Sequence, residues 1–302
     1  MPKMRSFKFA ACAGSVAVLA AAGSAAFAQS PDLLPTGPWE LNQAAESCYI
    51  TRDFTGGGRS FRLRIQSYGE ETPYHVALIG DGVPVRNQRS EAVKFRFGPI
   101  DDDGTALGLL GQAADGRPMI TVAGYPARPT NLIGWIYTGA ERFVRFGEPV
   151  EADAETLAVE TEGMDPVTLR IAPMAAELDL LDDCTRTLEQ KWQAAATGGS
   201  ADQPVSAPQL LNPQDTNWHT KYPENLLLNR ISGLVDIRMT VDAQGRAHDC
   251  VVQSSLWAKQ LGEVACANFE RWRHFEPAKD AAGKPVAALY RTSILYAIYA
   301  WS

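Results

Sequence analysis

The chain has 302 residues, 45% of them hydrophobic, which suits a globular protein of about two domains at roughly 150 residues each. Its net charge is −7 and its pI about 5.2, with no dense Lys/Arg cluster, so nucleic acid is not an expected partner: an acidic surface repels phosphate.

Residues 1–28 read as a secretory signal. Lys3, Arg5 and Lys8 form its positive region, an Ala-rich apolar stretch follows, and Ala26-Phe27-Ala28 is a small-x-small cleavage site before Gln29. A retained inner-membrane anchor is the alternative; the segment's poverty in Leu and Ile argues for cleavage. Cleavage removes three positive charges and no acidic ones, taking the net charge from −7 to about −10. The expected product is periplasmic, with no membrane span.

Export changes how the cysteines read. Cys12 leaves with the signal, and Cys48, Cys184, Cys250 and Cys266 remain. An even count in an oxidising compartment favours disulfides over free thiols or metal. Four cysteines allow three pairings. The economical one joins Cys48 to Cys184 and Cys250 to Cys266, one bridge per domain. Zinc on Cys250 and Cys266 with His248 and His274 is the alternative, but the spacing fits no standard zinc pattern.

From Trp39 to about Pro173 the chain predicts mostly short strands. Cys48 to Phe54 and Ser60 to Tyr68 flank Gly56-Gly57-Gly58 as a hairpin. Tyr74 to Ile79 and Val93 to Phe97 follow, then Ala106–Leu110, Met119–Val122, Leu132–Tyr137, Arg142–Phe146, Leu157–Glu160 and Val167–Ile171. Short strands punctuated by Gly, Asp and Pro predict a sandwich or open barrel over residues 30–195. The period then switches. Met174, Leu178, Leu181, Leu188 and Trp192 form the apolar stripe of a closing helix, with Cys184 one turn past Leu181. A bridge to Cys48 would close a loop of over a hundred residues, worth up to about 4–5 kcal/mol in the chain-entropy model. Residues 196–211, rich in small residues and Pro, read as a linker. No internal repeat is visible.

Few stretches suggest chemistry. Asp101-Asp102-Asp103-Gly104 lacks the spaced ligands of a calcium loop and reads as a solvated turn. His75 on a predicted strand reads as structural. Gly56-Gly57-Gly58 with Arg59 could cradle an anion, but it is not the Walker pattern and a hairpin tip explains it equally well. No nucleophile elbow, zinc-protease motif or phosphate loop occurs. No cofactor, metal site or catalytic residue is expected; an envelope enzyme using the first domain is the weaker alternative.

The region 212–302 is more specific. Val235, Ile237, Met239 and Val241 alternate with Asp236, Arg238 and Thr240, a strand with one buried face. Asp242-Ala243-Gln244-Gly245-Arg246 supplies a turn with Gly where a positive φ is expected, leading into a second strand through Cys250 to Ser254. Leu261, Ala265, Phe269 and Trp272 form the stripe of a helix that can lie on the hairpin, with Cys266 beside it. Pro285–Tyr299 is a long last strand.

These residues resemble the C-terminal domain of the TonB family. The matches are Tyr222-Pro223, Gly233-x-Val235-x-Ile237, Asp242-x-x-Gly245-Arg246, Val251-x-x-Ser254-Ser255, Leu261, Arg271-Trp272-Arg273-x-Phe275-x-Pro277 and Gly283-Lys284-Pro285-Val286. The resemblance covers about the last 85 residues. It implies an α+β domain whose three-stranded antiparallel sheet packs on the helix. It also implies a periplasmic role: a short extended segment of an outer-membrane transporter adds as a strand to the last strand. On this chain that edge is centred on Leu289, Tyr290, Arg291, Thr292 and Ser293. The family's energy transducers keep an N-terminal membrane helix and a long spacer. Here a cleavable-looking signal and a short linker flank a folded β domain. The expectation is therefore an exported protein that binds a peptide strand or protein partner, linked to outer-membrane transport. An anchored energy transducer is the alternative.

Overall fold

The computed structural model describes residues 32–85, 89–98, 105–125, 132–138, 147–199, 203–211, 222–256, 258–271 and 275–299. The signal, the Asp101–Gly104 turn, the Arg142–Phe146 strand, Trp272 and His274 lie outside the described residues.

Among the described residues, twelve strands precede the first helix. They are β1 (Leu34–Pro35), β2 (Glu40–Gln43), β3 (Cys48–Gly56), β4 (Arg59–Ser67), β5 (Tyr74–Gly80), β6 (Arg89–Phe97), β7 (Thr105–Gln112), β8 (Pro118–Tyr125), β9 (Leu132–Thr138), β10 (Gly147–Pro149), β11 (Thr156–Glu160) and β12 (Val167–Arg170). All but β9 belong to one sheet of order β1-β3-β4-β5-β8-β7-β6-β11-β12, with β2 beside β3 and β10 beside β8. Its two ends meet at Leu33, whose N–H donates to Thr168 and whose carbonyl accepts from Arg170. The sheet thus curls into a nearly closed barrel, which hides its edges. Phe54, Phe61, Leu63, Ile65, Phe95, Phe97, Leu157 and Leu169 fill it. The β3–β4 hairpin turns at Gly57 and Gly58, both at positive φ, as the run of three glycines predicts.

Helix α1 (Ala175–Ala196) follows. Leu178, Leu181, Leu188 and Trp192 join the barrel's apolar cluster, and the Cys48–Cys184 disulfide ties α1 to β3. The segment read as a linker lies against the second domain. Val205 N–H donates to Lys279, Ser206 Oγ accepts from Lys279 N–H, and β13 (Gln209–Leu210) pairs with a strand at Phe275.

The second domain runs α2 (Glu224–Leu228), β14 (Gly233–Val241), β15 (Ala247–Ser255), α3 (Lys259–Arg271), β16 (Phe275–Glu276), β17 (Ala278–Lys279), β18 (Pro285–Val286) and β19 (Ala288–Tyr299). β14 pairs antiparallel with β15 and β19 on its two sides. The turn between β14 and β15 holds Gly245 at φ 74°, where a Cβ would lie 2.2 Å from the Phe275 carbonyl oxygen, so only glycine fits. Leu261, Ala265 and Phe269 of α3 are fully buried on the sheet, and Cys250–Cys266 bridges β15 to α3.

Two expectations are corrected. The sheet has four described strands and not three: β9, expected inside the first domain, pairs parallel with β19. And β14 is buried on both faces, because the first domain covers the face that carries its polar residues.

Candidate functional site: the last strand and the face behind it

The register Val235↔Ile294, Ile237↔Thr292 and Met239↔Tyr290 puts these residues on the face under α3. There Phe269, Phe275 and Tyr290 pack ring against ring, Phe275 and Tyr290 with centroids 4.6 Å apart. Asp236↔Ser293, Arg238↔Arg291 and Thr240↔Leu289 share the opposite face, which lies against the barrel and α1.

That second face is built from charged groups with partners. His75 Nε2 of β5 lies 2.9 Å from Asp236 Oδ2, an ion-pair distance reached at an angle outside hydrogen-bond geometry; both side chains are buried. Ser293 Oγ donates to Asp236 Oδ1 at 2.6 Å. Tyr68 stacks on His75 with centroids 4.8 Å apart, and burial, then the Asp236 charge, push its phenol pKa far up. Arg238 makes a two-pronged contact with Glu46, at 2.7 and 2.8 Å, and its guanidinium sits 5.2 Å from the Trp192 ring centroid. Gln253 Nε2 donates to the carbonyls of Glu46 and Tyr68.

Arg291 reaches Glu189 of α1 at 3.3 Å and Glu71 at 4.0 Å. Burial pushes the Glu189 carboxyl pKa up, against the pull of Arg291 and of the Glu70 N–H that it accepts from. The three side chains His75, Asp236 and Ser293 do not form a nucleophilic triad. The carboxylate stands between the imidazole and the hydroxyl, so the imidazole is not placed to take the serine proton.

The outer edge of β19 is covered from Ser293 to Tyr299 and again at Leu289. From Ser293 to Tyr299 it pairs with β9, in register from Ser293↔Leu132 to Tyr299↔Thr138. Nearer its start α1 stands against it, and Leu289 N–H donates to Gln193 Oε1 at 3.0 Å.

Leu289, Arg291 and Ser293 face the first domain, while Tyr290 and Thr292 face α3. Leu289, Tyr290, Thr292 and Ser293 are buried and Arg291 is half-buried. Sequence reasoning missed Glu46, Tyr68, Glu189, Asp236 and Arg238 as parts of this face. The signal was weak: Asp236 and Arg238 alternate on a strand as solvated residues do, and Glu46 lies 192 positions from Arg238. Elsewhere, a cavity of about 610 Å³ on the barrel is lined by Glu151, Asp153, Glu155 and Arg170 among others. Among the described residues, no group of three or more His, Cys, Asp or Glu side chains could hold a metal ion.

The second domain is thus an α+β unit whose helix covers one face of an antiparallel sheet and whose long last strand accepts a further strand. Residues 219–298 match the family model for the Gram-negative bacterial TonB protein C-terminal region, and this part of the chain is a TonB C-terminal domain. The TonB C-terminal domain of Pseudomonas aeruginosa, solved by solution NMR, is similar at 24% identity over 32% of this chain and 92% of that one, with a TM-score of 0.27. Comparison with curated proteins gives no match.

Proposed function

We propose that this is an exported envelope protein that takes part in TonB-dependent transport at the outer membrane. Its role is that of a binding protein and not an enzyme. Its TonB C-terminal domain takes an extended peptide segment of an outer-membrane receptor as an added strand on β19, around Leu289–Ser293. The observation that carries this reading is the β9–β19 ladder: the outer edge of β19 has the geometry to receive a parallel strand. Backbone pairing at such an edge gives affinity with little demand on sequence. Two disulfides suit an oxidising compartment. Among the described residues no helix is long and apolar enough to cross a membrane. In this reading the barrel closed by α1 positions the TonB C-terminal domain and does not act on a substrate.

The test is to immobilise the chain from Gln29 onward, expose it to outer-membrane extract and identify what is retained. Outer-membrane receptors are the expected catch. A synthetic peptide from the periplasmic end of a retained receptor should then shift the backbone amide resonances of Leu289–Ser293. Retention of no receptor, or shifts confined to the barrel, would overturn the reading. N-terminal sequencing of the mature protein checks export; Gln29 as first residue is expected.

A further inference from the structure

We infer that β9 is a built-in occupant of the strand-binding edge, so that the protein rests in a self-occupied state and a partner strand binds by displacing it. The inference rests on the reading of β19 as the binding strand and adds its regulation.

The topology carries the argument. β8 and β10 lie side by side in the first sheet, paired parallel from Gly147↔Ala123 to Pro149↔Tyr125. Between them the chain sends β9 out of that sheet and onto β19 of the other domain. Within the described residues β9 has a single ladder, seven residue pairs with β19. Releasing it would break none of the described ladders of the barrel, nor either ladder of β14.

The partner that fits is a strand running parallel to β19 that covers Leu289–Ser293 and continues past Ser293 into the place where β9 now lies. Over that shared stretch both need the same N–H and C=O groups of β19, so they exclude each other. A tethered occupant that is seated about 99% of the time weakens a competing strand by roughly 100-fold, because only the open fraction binds. Release of β9 leaves the face formed by Asp236, Arg238 and Arg291 in place, since those contacts run to β5, α1 and the segment before β3. The two domains therefore stay docked while the edge opens.

The probe is the β9 segment itself: a labelled peptide of residues 132–138 with solubilising tails, added to the full chain and followed by fluorescence anisotropy. Two variants bracket the wild type. Gly134→Pro/Trp135→Pro removes two adjacent N–H groups of β9, so whichever faces β19 is lost. Ala297→Cys/Ile136→Cys, made in the chain from Gln29 onward, places thiols on a register pair that a short bis-alkylating reagent can bridge, Cys48, Cys184, Cys250 and Cys266 being held in disulfides.

The wild type should bind the peptide weakly, the proline variant at least about tenfold more tightly, and the bridged chain not at all. A proline variant that binds no better than the wild type overturns the inference. So does a bridged chain that binds like the wild type, a result that stands even if the proline variant folds poorly. Failure of the receptor reading looks different. The proline variant then takes the β9 peptide while neither it nor the wild type retains receptors, and the self-occupied edge is upheld. Equal retention of receptors by wild type and proline variant keeps the receptor reading and overturns the latch.

Discussion

One face of the C-terminal sheet lies under α3, where Val235, Ile237, Met239 and Ile294 meet Leu261, Ala265 and Phe269. The other face, displaced by one residue along the same strands, carries Asp236, Arg238, Arg291 and Ser293 against the barrel and α1. Asp236 and Ser293 are as fully buried as Val235 and Ile294. The apolar face would form against any surface of suitable shape, because hydrophobic burial has no direction. The polar face forms only where each charge finds its partner, since an unpaired buried charge is strongly unfavourable. The first face holds the domain together; the second fixes how it sits on its neighbour.

The largest test separates these two roles. Phe269→Ala should lose about 3–5 kcal/mol of stability through the cavity it leaves. Asp236→Ala should lose a similar amount, about 3–5 kcal/mol, by stripping His75 and Ser293 of their shared partner. Rescue tells them apart. Replacing the whole group by His75→Leu/Asp236→Leu/Ser293→Ala removes every stranded polar atom, and should recover most of the loss or exceed wild-type stability by about 1–4 kcal/mol. Urea unfolding of the four chains decides it. If the triple variant is no more stable than Asp236→Ala, the polar face is not held by mutual pairing.

A smaller effect tests the clamp at Glu46. Arg238 and Glu46 are about one-fifth and one-quarter exposed, so water screens the pair more than it does His75 and Asp236. A double-mutant cycle with Arg238→Met and Glu46→Gln should give a coupling of about 1–2 kcal/mol. Methionine keeps an apolar stem near Trp192, so the cycle reads the ion pair and not the lost packing. A coupling near zero would reduce the pair to a bystander of the interface.

What the sequence disclosed divides along the same two faces. The stripe Leu261, Ala265, Phe269, the Gly245 turn and both disulfide pairings were legible because each depends on neighbours or on counting within a domain. The polar face was not. Asp236 and Arg238 at alternate positions look the same whether water or a second domain lies opposite. The answer sits in His75 and Glu46, far away in the chain and each unremarkable alone. β9 shows the other limit. Leu132–Tyr137 was recognisable as a strand, but a period of two says nothing about which sheet it joins. Its departure from the barrel to pair with β19 is a matter of topology, which no local pattern records.

The smallest effect concerns the border between the two faces and the edge, at Glu189. This carboxylate is buried between Arg291 and the Glu70 N–H, and burial raises its pKa. A raised pKa means the folded chain holds this proton more tightly than the unfolded one. The stabilising contribution is then fully present below the ordinary Glu value of 4.5 and is lost as pH rises through the raised value. Glu189→Gln abolishes the titration while its amide oxygen can still accept from the Glu70 N–H. Carboxylates elsewhere with lowered pKa values, such as Asp53 beside Arg62, push the other way, but they are common to both chains and cancel in a difference. The melting temperature of the wild type minus that of Glu189→Gln should therefore fall as pH rises above 4.5, by roughly a few degrees at most. Parallel curves would mean that Glu189 is as well solvated in the folded chain as in the unfolded one. The polar face would then admit water at α1, beside the very stretch of β19 where a partner strand is expected to pair.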